Sequence, residues 1–235
     1  MKDAALVISL GRSPAVVTET VDSLLNKGVN LRRVYLVTTS EREIIDHCIP
    51  LLKEEFAKYP NYSRMKLIAE RGILRNQDIT DKSDNDELLK IVSSIVRDEK
   101  DRGSDVYIGM AGGRKSMSAV MAFVGVIFRA KEIIHVLVDP ETEKLGSIDK
   151  LGNMTPEQRT KALHPENKWL ISLPIISLID YKEILDSLRQ KRPVSNEIEQ
   201  RLVKSGYKDS KGNLTKEGRK LKRLLEEIEA SASRE

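Results

Sequence analysis

Apolar residues along the chain follow two alternating rhythms. Ala4–Leu10 is a continuous apolar run of strand length, and helical spacing follows from Pro14 to about Lys27. Arg33–Thr38 ("RVYLVT") predicts a second strand, and 42–58 a helix with Ile44, Ile45, Leu51, Leu52 and Phe56 at helical spacing. Lys66–Ala69 is a shorter, weaker strand. Residues 84–100 form a charged amphipathic helix that turns Leu88, Leu89, Val92, Ile95 and Val96 inward. Val106–Met110 is read as a strand, 115–130 as an apolar helix and Ile133–Val138 as a further strand. Regular alternation of strand and helix predicts an α/β, Rossmann-like fold, a doubly wound and mostly parallel sheet covered on both faces. The helix at 115–130 is nearly free of charge after Lys115, so a partner surface is expected to cover it as well as the sheet.

The rhythm changes late. Residues 139–168 hold few periodic apolar positions and are expected to run over the surface, after which "WLISLPIISLID" returns to the core. From Tyr181 onward the chain is charged, with 14 Lys and Arg against 10 Asp and Glu. "PVSNEIEQRLVKSGY" and "NLTKEGRKLKRLLEEI" each have the form of a capped helix, with Ser195 or Asn196 and Thr215 as N-caps. The expected organisation is one domain over 1–180 and a small helical module over 181–235. That module is either a winged-helix unit or a helical brace for a dimer.

Composition narrows the function. The 235 residues can bury a real core, and 40% hydrophobic with 32% charged residues describes a globular protein. A net charge of +4 and a pI near 9.0 suit a polyanionic ligand without naming one. The single cysteine, Cys48, excludes an internal disulfide framework and a Cys-rich zinc site, and it fits a reducing cytoplasm. "MKDAALVISLG" has too short an apolar stretch for a signal peptide, and no run approaches a membrane span.

Two loops carry the candidate chemistry. "SLGRSP", 9–14, follows the first strand, with Ser13 as the expected N-cap and Pro14 as the first helical residue. "GMAGGRKSMSA", 109–119, follows the fourth strand. In a sheet of order 3-2-1-4-5 these strands are neighbours where the winding reverses, and ligands bind beyond the strand ends there. Both loops open helix N-termini, whose unpaired N–H groups favour phosphate. Arg114 and Lys115 stand where the helix dipole disfavours cations, which points to an anion. Neither loop is G-x-G-x-x-G or Walker A, so dinucleotide and simple NTPase readings lack their fingerprints. "GRSPA" is not the G-x-S-x-G elbow of a serine hydrolase.

"SLGRSPAVVTETV" together with "GMAGGRKSMSA" resembles the signature loops of the CRISPR-associated Rossmann-fold (CARF) family, and in particular its stand-alone ring nucleases. The resemblance implies a homodimer that binds cyclic tetra-adenylate across its two-fold axis. It implies metal-independent cleavage, without a cofactor, to linear di-adenylate with a 2′,3′-cyclic phosphate, which switches off type III CRISPR signalling. By resemblance Ser13 orients the attacking ribose 2′-hydroxyl, and Arg114 and Lys115 neutralise the phosphorane. Gly112 and Gly113 offer N–H groups, Gly11 and Ser116 line the ligand, and Arg12 holds a neighbouring phosphate or an adenine. Thr39, with Thr38 and Ser40, is placed at an adenine pocket, and Lys168 is the candidate for a second lysine from late in the chain. Two other readings stay open. One is a CARF sensor that holds the messenger uncut and transmits it to DNA, although DNA binding is not expected. The other is a ribonuclease effector using Arg159 and His164; Arg42…His47 and Arg129…His135 match the same loose R-x4–6-H pattern but lie inside the expected Rossmann-like domain, where that motif does not belong.

Overall fold

The protein is described from a computed structural model, which places residues 2–173, 181–189 and 196–232. The chain divides into two compact units, Met1–Ile175 and Ile176–Glu235.

The first unit is a six-stranded sheet in the order β3-β2-β1-β4-β5-β6. Its strands are β1 (Ala4–Ser9), β2 (Leu31–Val37), β3 (Lys66–Ile68), β4 (Asp105–Gly109), β5 (Glu132–Leu137) and β6 (Trp169–Leu173). The first five are parallel and β6 runs antiparallel to β5. The α/β Rossmann-like expectation therefore holds, with one added edge strand. Four long helices cover the sheet: α1 (Ala15–Asn26), α2 (Ile49–Lys58), α3 (Lys82–Asp101) and α4 (Lys115–Ile127). Side chains alternate across β1. Leu6 and Ile8 enter the core that includes Val17, Val21 and Leu24 of α1 and Leu52 and Phe56 of α2. Ala5 and Val7 enter the core that includes Val92 and Ile95 of α3 and Met117 and Met121 of α4.

Three expectations are corrected here. The helix expected over 42–58 begins as a π-turn at Ile44–Cys48, where the Ile49 N–H donates to the Ile44 carbonyl, and α2 follows. Pro50 has no N–H to close the next α-helical bond, so the register loosens before it. Residues 139–168 are no bare surface run but three short helices, α5 (Pro140–Leu145), α6 (Ile148–Leu151) and α7 (Pro156–Leu163). Leu151, Ala162 and Leu163 pack on Ala15 as a small core of their own. An Asp139 cap and a Thr155–Gln158 capping box start α5 and α7. The run after 168 does not return to the core at its start: Trp169, Ile171 and Leu173 of β6 are exposed, and residues 174–180 lie outside the described residues. In the single chain α4 turns Met117, Met121 and Val124 to the sheet and leaves Phe123 and Ile127 exposed, an apolar face of the kind expected for a partner surface.

The second unit holds α8 (Tyr181–Arg189), α9 (Asn196–Lys204) and α10 (Lys216–Ala232). Ile184, Leu185, Leu188, Ile198, Leu202 and Leu221 form its core. A bridge between Lys208 and Leu214 closes a short turn before α10, and Thr215 accepts from the Gly218 N–H at 3.1 Å as its cap. Lys208 is buried, but its ammonium meets both Glu199 oxygens at 2.8 and 3.0 Å and Ser187 at 2.8 Å, so the buried charge is satisfied. The expected Ser195 cap lies outside the described residues.

Candidate functional site

The loops after β1 and β4 meet because three glycines let backbone touch backbone. A side chain at Gly11 would stand 2.8 Å from the Gly113 nitrogen, and one at Gly112 would stand 2.3 Å from the Ser9 carbonyl oxygen. Gly113 has φ +70, which a residue with a Cβ rarely adopts. Around this junction opens a cavity of about 950 Å³, at the upper end of the range for small-molecule sites. Gly11, Arg12, Ser13, Thr39, Gly112, Gly113, Arg114 and Lys115 all line it. The backbone N–H groups of Gly112, Gly113, Arg114, Lys115 and Ser116 donate to no described residue. These free donors at and before the N-terminus of α4, four of them on residues that line the cavity, make a cradle suited to an anion.

The cations around this cradle differ in what they are doing. Arg12 meets Glu41 at 2.7 Å through Nε and Glu43 at 2.9 Å. Arg114 makes a two-pronged pair with Asp78 at 2.8 and 2.7 Å. Asp78 is presented by the loop before α3, and Asp84 fixes that loop by accepting from Asn76, Thr80 and the Asp81 N–H. Lys115, exposed at the first turn of α4, has no ion pair with any described residue, and neither has Lys144 of α5, which lines the same cavity.

Ser13 departs from its expected role as a cap. Pro14 holds the N-cap place, and the Ser13 hydroxyl donates to the Gly146 carbonyl at 3.0 Å, tying the first loop to the turn between α5 and α6. Its proton is committed, so the hydrogen-bonding capacity it keeps is that of an acceptor. Thr39 is buried on the cavity wall. Thr38 lies beneath it, bridged to Ile73, while the Ser40 hydroxyl donates to the Arg75 carbonyl. Ser116 does not line the cavity; Ser118 does, with its hydroxyl on the Met110 carbonyl at 2.9 Å. Lys168 is also elsewhere. Its ammonium donates to the Pro165 carbonyl at 2.6 Å and lies 3.4 Å from Asp22.

Lys168 belongs to a buried polar cluster that anchors the end of α7. His164 stacks on Tyr59 with ring centres 3.9 Å apart, its Nδ1 2.9 Å from Asp22 and its Nε2 3.1 Å from Glu55. Tyr62 donates to Asp22 at 2.7 Å, and Arg159 reaches the carbonyls of Leu151 and Met154. Both members of the Arg159…His164 pair are thus occupied in holding structure, which speaks against a ribonuclease role. His47 lines a separate acidic groove beside Asp46 and Glu43.

The cavity lining also includes Glu19, Glu143 and Lys144, which the motif reading did not single out, and His135, which it noted only in an R-x4–6-H match. Glu19 carried a signal, being a charged residue on the buried face of the first helical pattern, one turn after Ala15. Burial, opposed by Lys168 and reinforced by Glu143 and Asp22, pushes its carboxyl up to about 7. Among the described residues no group of three or more His, Cys, Asp and Glu is placed to hold a metal ion. No described helix is long and apolar enough to cross a membrane.

The model of the CRISPR-associated protein NE0113 family matches residues 13–206, most of the chain and both loops' helices. The chain belongs to that family. A curated relative, the CRISPR system ring nuclease SSO2081 of Saccharolobus solfataricus, is 30% identical over 148 residues, covering 60% of this chain and 75% of the relative. The resemblance of the two loops to CARF ring nucleases is thereby borne out at the level of family. Enterococcus italicus Csm6, solved with cyclic hexa-2′-fluoro-hexa-dAMP, superposes with a TM-score of 0.53 and 13% identity. The match takes in 99% of this chain and 56% of the Csm6 chain, so this protein spans little more than half of that one. At that identity the likeness speaks for the fold alone, and it agrees with the sheet described above.

Proposed function

We propose that this CRISPR-associated protein is a ring nuclease that binds cyclic tetra-adenylate as a homodimer and cuts it without a metal to linear di-adenylate with a 2′,3′-cyclic phosphate. The observation that carries the reading is the cradle: unpartnered N–H groups, four of them on cavity-lining residues, and an unpaired Lys115 in the same cavity as Ser13, where the two loops meet. In the proposed reaction a ribose 2′-oxygen attacks the adjacent phosphorus and the bond from phosphorus to the 5′-oxygen breaks. The 2′-hydroxyl loses a proton and the departing 5′-oxygen gains one. The Ser13 oxygen accepts from the 2′-hydroxyl and fixes its line of attack, which is how positioning lowers such a barrier. The N–H groups and Lys115 face the second negative charge that gathers on the phosphorane. Ligand symmetry supports the dimer, since two copies of one loop about a two-fold axis meet opposite phosphates. Exposed Phe123 and Ile127 on α4 supply apolar surface for a second copy.

The test is incubation of the purified protein with cyclic tetra-adenylate labelled at its internal phosphates, in EDTA, followed by chromatography. Conversion to di-adenylate with a 2′,3′-cyclic phosphate is expected. Tight binding with the ring left intact would overturn the nuclease reading in favour of a sensor. The second unit, with its three helices and short bridged turn, would then be the candidate output module.

A further inference from the structure

Glu19 is a carboxyl in a place that carboxyls avoid. It is 2% exposed on α1, lines the cavity, and its side chain makes no hydrogen bond to any described residue. Nothing in the packing of α1 requires it. Val17, Val21 and Leu24 carry the contact of α1 with the sheet core, while Glu19 stands on another face, with Ala15, Val16, Asp22 and Ser23 three and four positions away. An unpartnered buried polar group that opens onto a cavity awaits a donor or acceptor from outside the chain.

Its surroundings say which part of a ligand it meets. Val16, Val136, Leu137 and Val138 line the cavity alongside it, and Glu143 of α5 adds a second carboxyl nearby. Two acids among apolar walls repel phosphate and suit the flat, neutral face and polar edge of a base. Phosphates have their own place, at the N–H cradle and Lys115.

We propose that Glu19 selects adenine in the ring, through paired hydrogen bonds to the base's exocyclic amine and the ring nitrogen beside it; the inference rests on the ring nuclease reading above. Adenine presents a donor next to an acceptor, at N6 with N1 or N6 with N7. An ionised carboxylate only accepts, so it satisfies the amine and faces the ring nitrogen with a lone pair. A neutral carboxylic acid donates and accepts side by side and satisfies both. The burial that lifts Glu19 to about 7 keeps a large fraction neutral at physiological pH. The charged groups around it are Lys168 after α7, which opposes this, and Glu143 of α5 and Asp22 of α1, which reinforce it. His135 of β5 shares the cavity.

The sign follows. The binding form is the protonated one, so affinity for the ring is full below pH 7 and falls above it, about tenfold between pH 6 and pH 8 for one titrating carboxyl. Glu19→Gln places an amide with the same donor and acceptor in the same position. It should bind cyclic tetra-adenylate as the wild type does at pH 6 and lose the pH dependence. His135 is unchanged in that variant, so a flattened profile belongs to position 19. Glu19→Ala should lose about tenfold or more at pH 6, the worth of a two-pronged contact to a base.

The experiment is titration of the full-length protein and both variants with cyclic tetra-adenylate between pH 6 and pH 8.5. It is repeated with rings built from 1-deaza-adenosine and from 7-deaza-adenosine. Wild type should lose affinity for one of the two deaza rings, and Glu19→Ala should not distinguish either from the parent. A wild-type profile that is flat, or full affinity of the wild type for both deaza rings, overturns the assignment while leaving the ring nuclease reading intact. Failure of the wild type to bind cyclic tetra-adenylate at all overturns both. Should Glu19→Ala fail to fold, the Gln variant and the deaza rings on wild type still decide the matter.

Discussion

Replacing Lys115 by alanine is the perturbation that best separates chemistry from binding, because the structure leaves this cation uncommitted. Arg12 and Arg114 face carboxylates within hydrogen-bond distance, while Lys115 has no ion pair among the described residues. A phosphodiester carries one negative charge and the phosphorane on its path carries two. The added charge, about 4 Å from an ammonium, is worth ~1 kcal/mol in a water-like medium and ~4 kcal/mol at an effective dielectric near 20. Lys115 is exposed in the single chain, and a bound ring with a second copy would exclude part of that water. A value between the limits, about 2–3 kcal/mol, corresponds to a rate loss of roughly 30- to 150-fold. The ground-state phosphate keeps the N–H donors of the cradle, so affinity should fall by no more than about tenfold. The assay is single-turnover cleavage of labelled cyclic tetra-adenylate at saturating enzyme, beside a direct binding titration. Lys115→Arg should recover most of the rate by restoring the charge. A Lys115→Ala variant that binds more weakly yet cuts at the wild-type rate once saturated would refute the reasoning and reduce the residue to an anchor.

Three further outcomes follow from the same geometry. Ser13→Ala removes the acceptor expected to hold the 2′-hydroxyl and should slow single-turnover cleavage on the order of 10²-fold, with a smaller change in the binding titration. Phe123→Asp places a charge on the apolar face of α4 and should turn a dimer into a monomer in sedimentation experiments with ligand present; a dimer that persists would move the interface elsewhere. Glu19→Gln should raise stability at pH 8, because a carboxyl lifted to about 7 favours folding only while protonated. The gain should reach ~3 kcal/mol above pH 7, shrink as the pH falls from 7 toward 4.5, and vanish below that range, read by thermal melts across pH.

The parts of this protein that were legible in the sequence are those where burial leaves a periodic trace. β1, β2 and β4 are near-continuous apolar runs because α-helices cover both faces, and their order follows from the alternation with helices. The two loops were legible because glycine and proline are required by backbone contacts that few other residues tolerate. β6 was misplaced because its outward Trp169, Ile171 and Leu173 look the same in sequence as core residues. The helices α5, α6 and α7 are six, four and eight residues long, too short to show a 3.6-residue period. The resemblance points to Ser116, but Ser118, two residues on, is the serine that lines the cavity, and its hydroxyl reaches the loop carbonyl of Met110. Lys168 had position alone to recommend it, and its ammonium serves Asp22.

The two arginines of the loops bear on how such a site divides binding from catalysis. A guanidinium already paired to a carboxylate offers an arriving phosphate less net charge than a free one. Arg12 and Arg114 therefore contribute less to holding the uncut ring than their number implies, while their carboxylates fix them in place. Attraction that acts equally on the ground state and on the transition state deepens binding without speeding the reaction. In the proposed reaction, damping that uniform attraction at Arg12 and Arg114 while Lys115 and the N–H cradle stay free would reserve the strongest electrostatic response for the phosphorane. Asp78→Asn makes this visible. Releasing Arg114 from its partner should tighten binding of cyclic tetra-adenylate severalfold, with no matching gain in the single-turnover rate. A rate that rose in step with affinity would show instead that Arg114 acts on the reacting phosphate and that its carboxylate restrains catalysis.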